Sequence, residues 1–177
     1  MKKITFIILI LLSSFSIAQQ KEKTEYPQDV DKKTEIKINV LTLVAGPWLD
    51  VSYERLIDEE SSYGLAATYN TDTNESGLSY AITPFYRRYF SGKFARGFFV
   101  EGFGVLFSAR EYNYSNFFNY QTNGFETGFA LGVSVGGKFV SKKGFSTELL
   151  LGVGRNLDRD SDYGAYPRIA IAVGYRF

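Results

Sequence analysis

The sequence has no cysteine and no histidine among its 177 residues. Without cysteine there is no disulfide, no thiol nucleophile, no thiolate metal ligand and no lipidated N-terminal cysteine. Without histidine the commonest general base and metal ligand is missing. A dominant charge is lacking too: 20 Lys and Arg face 19 Asp and Glu, so no long-range field draws the chain to nucleic acid. No long amphipathic helix can be read anywhere, because the apolar residues do not recur at a period of 3.6. What is abundant is aromatic: 16 Phe and 13 Tyr, alongside 17 Gly. At this length a single domain is the default.

The first residues carry an export pattern. Lys2 and Lys3 precede the apolar run Ile4 to Leu12, which is too short to span a bilayer. Ser16-Ile17-Ala18 places small residues before a cleavage site. The reading is a cleaved signal peptide at 1–18, with an uncleaved anchor as the alternative. Loss of Lys2 and Lys3 leaves 18 basic and 19 acidic residues. Residues 19–34, QQKEKTEYPQDVDKKT, are polar and mixed in charge, and they read as a flexible periplasmic tail.

From Glu35 onward the hydrophobic period is near two. Strand-like runs fall near 36–44, 48–57, 62–70, 77–90, 97–110, 125–140, 145–155 and 165–177. Each has the length a tilted strand needs to cross a membrane, longer than the usual globular strand. In the last run Ile169, Ile171, Val173, Tyr175 and Phe177 share one face, and Arg168, Ala170, Ala172, Gly174 and Arg176 share the other. In the sixth, Phe125, Thr127, Phe129, Leu131, Val133, Val135 and Phe139 oppose Glu126, Gly128, Ala130, Gly132, Ser134, Gly136 and Lys138. A large apolar face suits lipid, and a face of small and charged groups suits a narrow lumen. The reverse assignment would make a small soluble ligand-binding barrel.

The connections alternate in length. Asp58–Ser61, Ser91–Arg96 and Ser141–Gly144 are short, whereas Thr71–Ser76, Glu111–Gly124 and Asn156–Gly164 are mostly longer. Short periplasmic turns and longer exterior loops are the asymmetry of bacterial barrels. Ala45-Gly46-Pro47 is the exception, a tight exterior turn. Closure is required because an open sheet edge has no partner in hydrocarbon. The sequence therefore predicts 35–177 to be an all-β domain, an eight-stranded antiparallel up-and-down transmembrane β-barrel, narrow enough for side chains to fill.

Four segments carry a resemblance: Ser52-Tyr53-Glu54-Arg55-Leu56, Pro84-Phe85-Tyr86-Arg87-Arg88-Tyr89-Phe90, Gly97-Phe98-Phe99-Val100-Glu101-Gly102-Phe103, and Lys143-Gly144-Phe145 running to Leu151-Gly152-Val153-Gly154-Arg155-Asn156. Through them the chain, over Glu35 to Phe177, resembles the small outer-membrane β-barrel proteins of Bacteroidetes-type bacteria, a family of unknown function with a barrel like those of OmpA and OmpX. The resemblance implies an outer-membrane location and no catalytic residue. Tyr175 and Phe177 also resemble the C-terminal signal read by the outer-membrane assembly machinery, with Ala172 where that pattern usually has Gly.

Parity places a set of charges inside: Lys37, Asp50, Glu54, Arg87, Glu126, Lys138, Glu148, Arg168 and Arg176. Lys138 and Glu148 flank one short turn, and Arg87 and Glu101 flank another, so each pair is expected to lie on adjacent strands. Placing Glu101 inside turns Phe99 and Phe103 inward as well, unless a bulge occurs at Gly102 or Gly104. Buried charges need partners, so a paired polar plug is favoured over a selective pore. Asp158, Asp160 and Asp162 could bind a cation through oxygen, but their spacing fits no calcium loop, and no metal site is assigned. Gly128-x-x-x-Gly132 and Gly152-x-Gly154 precede no helix, which argues against a dinucleotide site. Phe117 and Phe118 in the loop EYNYSNFFNYQTNG are candidates for exterior contacts or for an aromatic girdle, and Tyr112 and Tyr120 for the girdle.

The expectation is a non-enzymatic, monomeric outer-membrane protein without cofactor. Its role is structural or adhesive through exterior loops that contact an extracellular ligand. Its other partners are outer-membrane lipid and the assembly machinery, not nucleic acid. The alternative is a narrow channel for ions or small solutes; a lipid-modifying enzyme is the third reading.

Overall fold

The computed structural model describes residues 31–72, 77–113, 121–157 and 164–177. The signal peptide, most of the tail, Phe117 and Phe118, Tyr120 and the three aspartates Asp158, Asp160 and Asp162 lie outside the described residues. Eight strands follow in chain order: β1 (Thr34–Asn39), β2 (Trp48–Leu56), β3 (Ser61–Asn70), β4 (Leu78–Tyr89), β5 (Gly97–Asn113), β6 (Gln121–Val140), β7 (Phe145–Asn156) and β8 (Ala165–Arg176). Each pairs antiparallel with the next, and β8 pairs back onto β1, so the sheet is a closed all-β barrel. Thr34 and Phe177 seal the seam with two backbone hydrogen bonds of 3.1 and 2.8 Å.

The turns at the end that holds both ends of the barrel are short because their residues suit tight geometry. Ser141 and Phe145 close the β6–β7 turn, with Gly144 at φ 95°, a conformation that favours glycine. In the β2–β3 turn the Asp58 carboxylate accepts from the Glu60 backbone N–H at 2.8 Å. The Ser61 hydroxyl, followed by that N–H, holds the Asp58 carboxyl below its ordinary pKa.

The faces divide as the alternation predicts. Leu131, Val133, Leu149, Leu151, Ile169, Ile171 and Val173 point outward and are exposed, Val133 by 63% and Leu151 by 61%. Ala130, Ser134, Lys138, Glu148, Ala172 and Arg176 point inward and are buried. Tyr175 and Phe177 are on the outside, with Tyr175 edge-on to Phe145 at 5.3 Å.

Two expectations are corrected, on the first strand and on Glu126, and the open alternative at Glu101 is resolved. The first strand stops at Asn39, not at residue 44, and a six-residue helix α1 (Val40–Ala45) takes the place of the extended run and the tight turn. Asn39 causes the switch: its side-chain oxygen accepts from the Leu41 N–H at 3.2 Å and caps the helix. No register shift occurs at Gly102 or Gly104; the shifts lie between Leu78 and Tyr80 and between Arg110 and Glu111. Phe99 and Phe103 therefore do turn inward, buried to 0% and 4% exposure. Finally, Glu126 is exposed rather than inside. Its parity is inward, but among the described residues the β7 ladder first meets β6 at Ala130, with one further bond from the Leu157 N–H to the Phe129 carbonyl, and before that point β5 is the only strand described against β6. The β5–β6 hairpin projects past the closed wall, and Glu126 stands on the projection, above the lumen.

The inward phenyls need room, and glycine supplies it. Across the β5–β6 ladder Phe99 faces Gly136, Phe103 faces Gly132 and Phe107 faces Gly128. Across β3–β4, Phe85 faces Gly64. At each of these glycines a Cβ would collide with the ring opposite. The lumen thus holds large side chains from β4 and β5, packed against the small face of the neighbouring strand.

Candidate functional site

The candidate site is the lumen. Inward parity and strand closure bring nine charged side chains into one connected cluster. Glu54 of β2 sits at its centre and accepts from Lys37, Arg87 and Lys138, the last two at 2.9 and 2.7 Å. The Ser62 hydroxyl and the Tyr89 hydroxyl each donate to the same carboxylate at 2.6 Å. Arg87 of β4 reaches further: Nε to Glu101 at 2.7 Å, and both terminal nitrogens to the two oxygens of Glu148 at 2.6 and 2.8 Å. Lys37 also bonds Glu148 at 2.8 Å. Lys138 joins Glu54 to Glu35 at 3.0 Å. Arg176 holds Glu35 at 2.6 Å, and Arg168 holds Glu101 at 2.8 Å.

Five cations therefore serve four carboxylates, and seven of the eight strands supply a charge. The remaining strand, β3, supplies Ser62. Eight of the nine charged side chains are buried; Arg168 is partly open, at 13%. Aromatic rings separate the cations. The Arg87 guanidinium lies between Phe85 and Phe99, 4.5 and 4.4 Å from their centroids. Arg168 lies near Phe85 and Phe103, and Lys138 near Tyr89. Ring faces attract cations, and the attraction is stronger away from water.

Two apolar layers bracket the charges. Ala66, Ala81, Phe103, Val105, Phe107 and Ala130 fill the end nearer the projecting hairpin. Leu56, Tyr89, Ala95, Phe99 and Leu150 fill the end nearer the short turns. There the β4–β5 turn folds over the barrel opening. Ala95 is fully buried at φ 41°, its N–H donates to the Glu59 carbonyl at 2.8 Å, and Arg176 donates to the Ala95 carbonyl at 2.9 Å. A lumen arranged in this way is a filled, hydrogen-bonded core.

A family model described as "Protein of unknown function (DUF3575)" matches residues 4–172. The chain belongs to the DUF3575 family. No curated protein and no solved structure matches it. The family description names no chemistry, so the geometry of the lumen carries the argument for this DUF3575 member.

The residues singled out in the sequence divide as follows. Lys37, Glu54, Arg87, Glu101, Lys138, Glu148, Arg168 and Arg176 are brought together in the cluster. Arg87 and Glu101 are register partners and bond directly. Lys138 and Glu148 are register partners too, yet Lys138 pairs with Glu35 and Glu54, and Glu148 pairs with Lys37 and Arg87 across the lumen. Asp50 is half-buried near the hairpin end, where it accepts from Asn39 at 3.0 Å, apart from the nine. Glu126 is outside. Sequence reasoning missed Glu35 and Tyr89, though each shares the parity of an assigned neighbour, Lys37 and Arg87. It also missed Asn39, whose side chain bonds Asp50, Leu41, Ile169 and Ile171 and ties β1 to β2 and β8. Among the described residues no group of three or more carboxylates is placed to hold a metal ion.

Proposed function

We propose that this chain is an outer-membrane protein with an OmpA/OmpX-like barrel, exported through a cleaved signal peptide. Its exterior end performs a structural or adhesive role while its lumen stays closed. The observation that carries the reading is inverted polarity: exposed Leu, Ile, Val and Phe surround a core of bonded charges. A soluble barrel would bury those apolar groups, and patches this large on a soluble monomer are rare. A strand of 12 residues tilted by about 40° rises about 30 Å, the thickness of a bilayer's hydrocarbon core.

In this reading the chain is a monomer with both ends of the barrel in the periplasm. Tyr175 and Phe177 serve recognition by the assembly machinery, and the β5–β6 projection meets an extracellular ligand. The β6 segment Gln121–Gly128 extends about 27 Å along the strand beyond its last described partner on the β7 side, which gives that end a surface for contact. The absence of histidine and the mutual bonding of the lumen charges favour this role over an enzyme. A channel would need a water column where the side chains of the nine-residue cluster and two apolar layers stand.

The test is gel migration of the outer-membrane fraction with and without boiling, followed by planar-bilayer recording of the purified barrel. The expected result is a compact band that shifts on heating, and no steady conductance. A soluble periplasmic protein with no shift would overturn the membrane assignment. A steady ion current would overturn the closed lumen and establish the channel reading.

A further inference from the structure

The outside of the closed wall carries few charges, and their kind is informative. Among the described strand residues that point outward from it, three are charged: Arg55, Arg88 and Arg155. All three are arginine, and none is acidic. Arg55 and Arg88 lie toward the short-turn end, where Arg55 donates to Thr34 and Arg88 is paired with Glu60. Arg155 lies at the opposite end of the apolar belt, exposed on β7 between its register partners Leu131 on β6 and Ala165 on β8, and it is the charged outward residue described at that end of the wall.

Beneath Arg155 the wall is hollowed. A shallow cleft of about 550 Å³ is lined by Leu131, Val133, Val153, Arg155 and Ala165. The hollow arises because small side chains meet there: Ala165 lies beside Arg155, and Val133, Val153 and Pro167 form the row below. Below them Val135, Leu151 and Ile169 continue the apolar surface. A cation at the head of an apolar trough matches one ligand shape, an anionic headgroup with a hydrocarbon chain. Guanidinium favours phosphate among such headgroups because its planar fork meets two oxygens at once.

We propose that this cleft binds a phosphate-bearing membrane lipid, with the phosphate on Arg155 and an acyl chain laid along Val153 and Leu151. The site rests on the membrane reading above and names the lipid chemistry that would meet this face of the wall. Charge complementarity selects the occupant. A neutral lipid offers the Arg155 guanidinium no anion at the edge of the hydrocarbon, and a free phosphate would leave the trough empty.

The experiment uses the full mature chain folded in a neutral detergent. It is titrated in native mass spectrometry with a diacyl phosphatidic acid, with the diacylglycerol of the same chains, and with inorganic phosphate. The expected result is a one-to-one complex with phosphatidic acid that is about tenfold tighter than with diacylglycerol, and no complex with phosphate alone. Arg155→Gln should remove that preference. Val153→Trp, which fills the trough from an exposed position, should weaken both lipids. Arg88→Gln should change neither. Equal binding of the two lipids, or an Arg155→Gln protein that binds as the parent does, overturns the proposal, and binding of inorganic phosphate alone assigns Arg155 to free anions instead. Each variant is also run on the gel with and without boiling. A chain that never shows the shift fails the membrane reading, whereas a shifting chain indifferent to Arg155 fails this proposal alone.

Discussion

Arg87 and Glu148 meet in a two-pronged ion pair of 2.6 and 2.8 Å across the lumen. Their strands, β4 and β7, are not neighbours in the barrel. The pair therefore ties opposite walls together, and the same guanidinium reaches Glu54 and Glu101. A contact of this kind needs the sheet to curl, because β5 and β6 stand between the two strands.

Arg87→Ala should accordingly cost stability rather than open a pore. Three carboxylates would lose their shared partner in a buried site, and breaking a buried pair from one side costs about 3–5 kcal/mol. The temperature of the gel shift and the urea midpoint in detergent measure the loss. Arg87→Lys should lie between, because a lysine keeps the charge and loses the two-pronged geometry. A conductance change at unchanged stability would contradict the plug.

The glycines opposite the phenyls should respond in two distinguishable ways. The nearest atoms that a Cβ on Gly128 would meet all belong to the Phe107 ring, whereas one on Gly132 would meet the backbone of Val153 and Gly154 as closely as the Phe103 ring. Each Ala substitution should destabilise by about 1–3 kcal/mol through overpacking. A second change, Phe107→Leu, should recover much of the loss for Gly128→Ala. Phe103→Leu should recover little for Gly132→Ala, since backbone cannot retreat as a ring can. Double-mutant cycles in urea supply the numbers.

Loosening the β4–β5 turn should expose it. Arg176 holds the carbonyls of Phe94 and Ala95, at 3.3 and 2.9 Å. In Arg176→Ala, trypsin should cut after Lys93 in the folded protein, at a site the parent protects. Ala95→Val should be more damaging, about 2 kcal/mol or more, because a β-branched residue resists positive φ and the site is fully buried. Equal trypsin resistance of parent and Arg176→Ala would show that the turn needs no help from β8.

Glu126→Ala should be nearly silent. The side chain is exposed on the projecting hairpin, and such surface changes stay within about 0.5 kcal/mol. Glu101→Ala, on the adjoining strand, should be strongly destabilising, since it leaves both Arg87 and Arg168 short of a buried partner. Similar urea midpoints for the two variants would place Glu126 in the lumen after all.

The strand count, the strand positions to within a few residues at most ends, and the outward faces of β6 and β8 followed from the sequence alone. A period-two pattern with one bulky apolar face constrains each strand locally, because slipping by one residue would reverse every side chain. Inward charges followed by the same parity, which is why Lys37, Glu54, Arg87, Lys138, Glu148 and Arg176 were readable. What the tertiary structure decided was non-local. Both faces of β5 are apolar, with Phe99, Phe103 and Phe107 on one and Phe98, Val100 and Leu106 on the other, so only the glycines of β6 across the ladder settle which face turns in. The partners of Lys138 and Glu148 could not be read from adjacency, because a filled lumen lets charges choose among all the walls. Glu126 obeyed its parity and still lay outside, since parity says nothing of where the neighbouring strand ends. Asn39 turned a strand into a helix because its amide found β2 and β8 beside it, which only closure of the barrel provides.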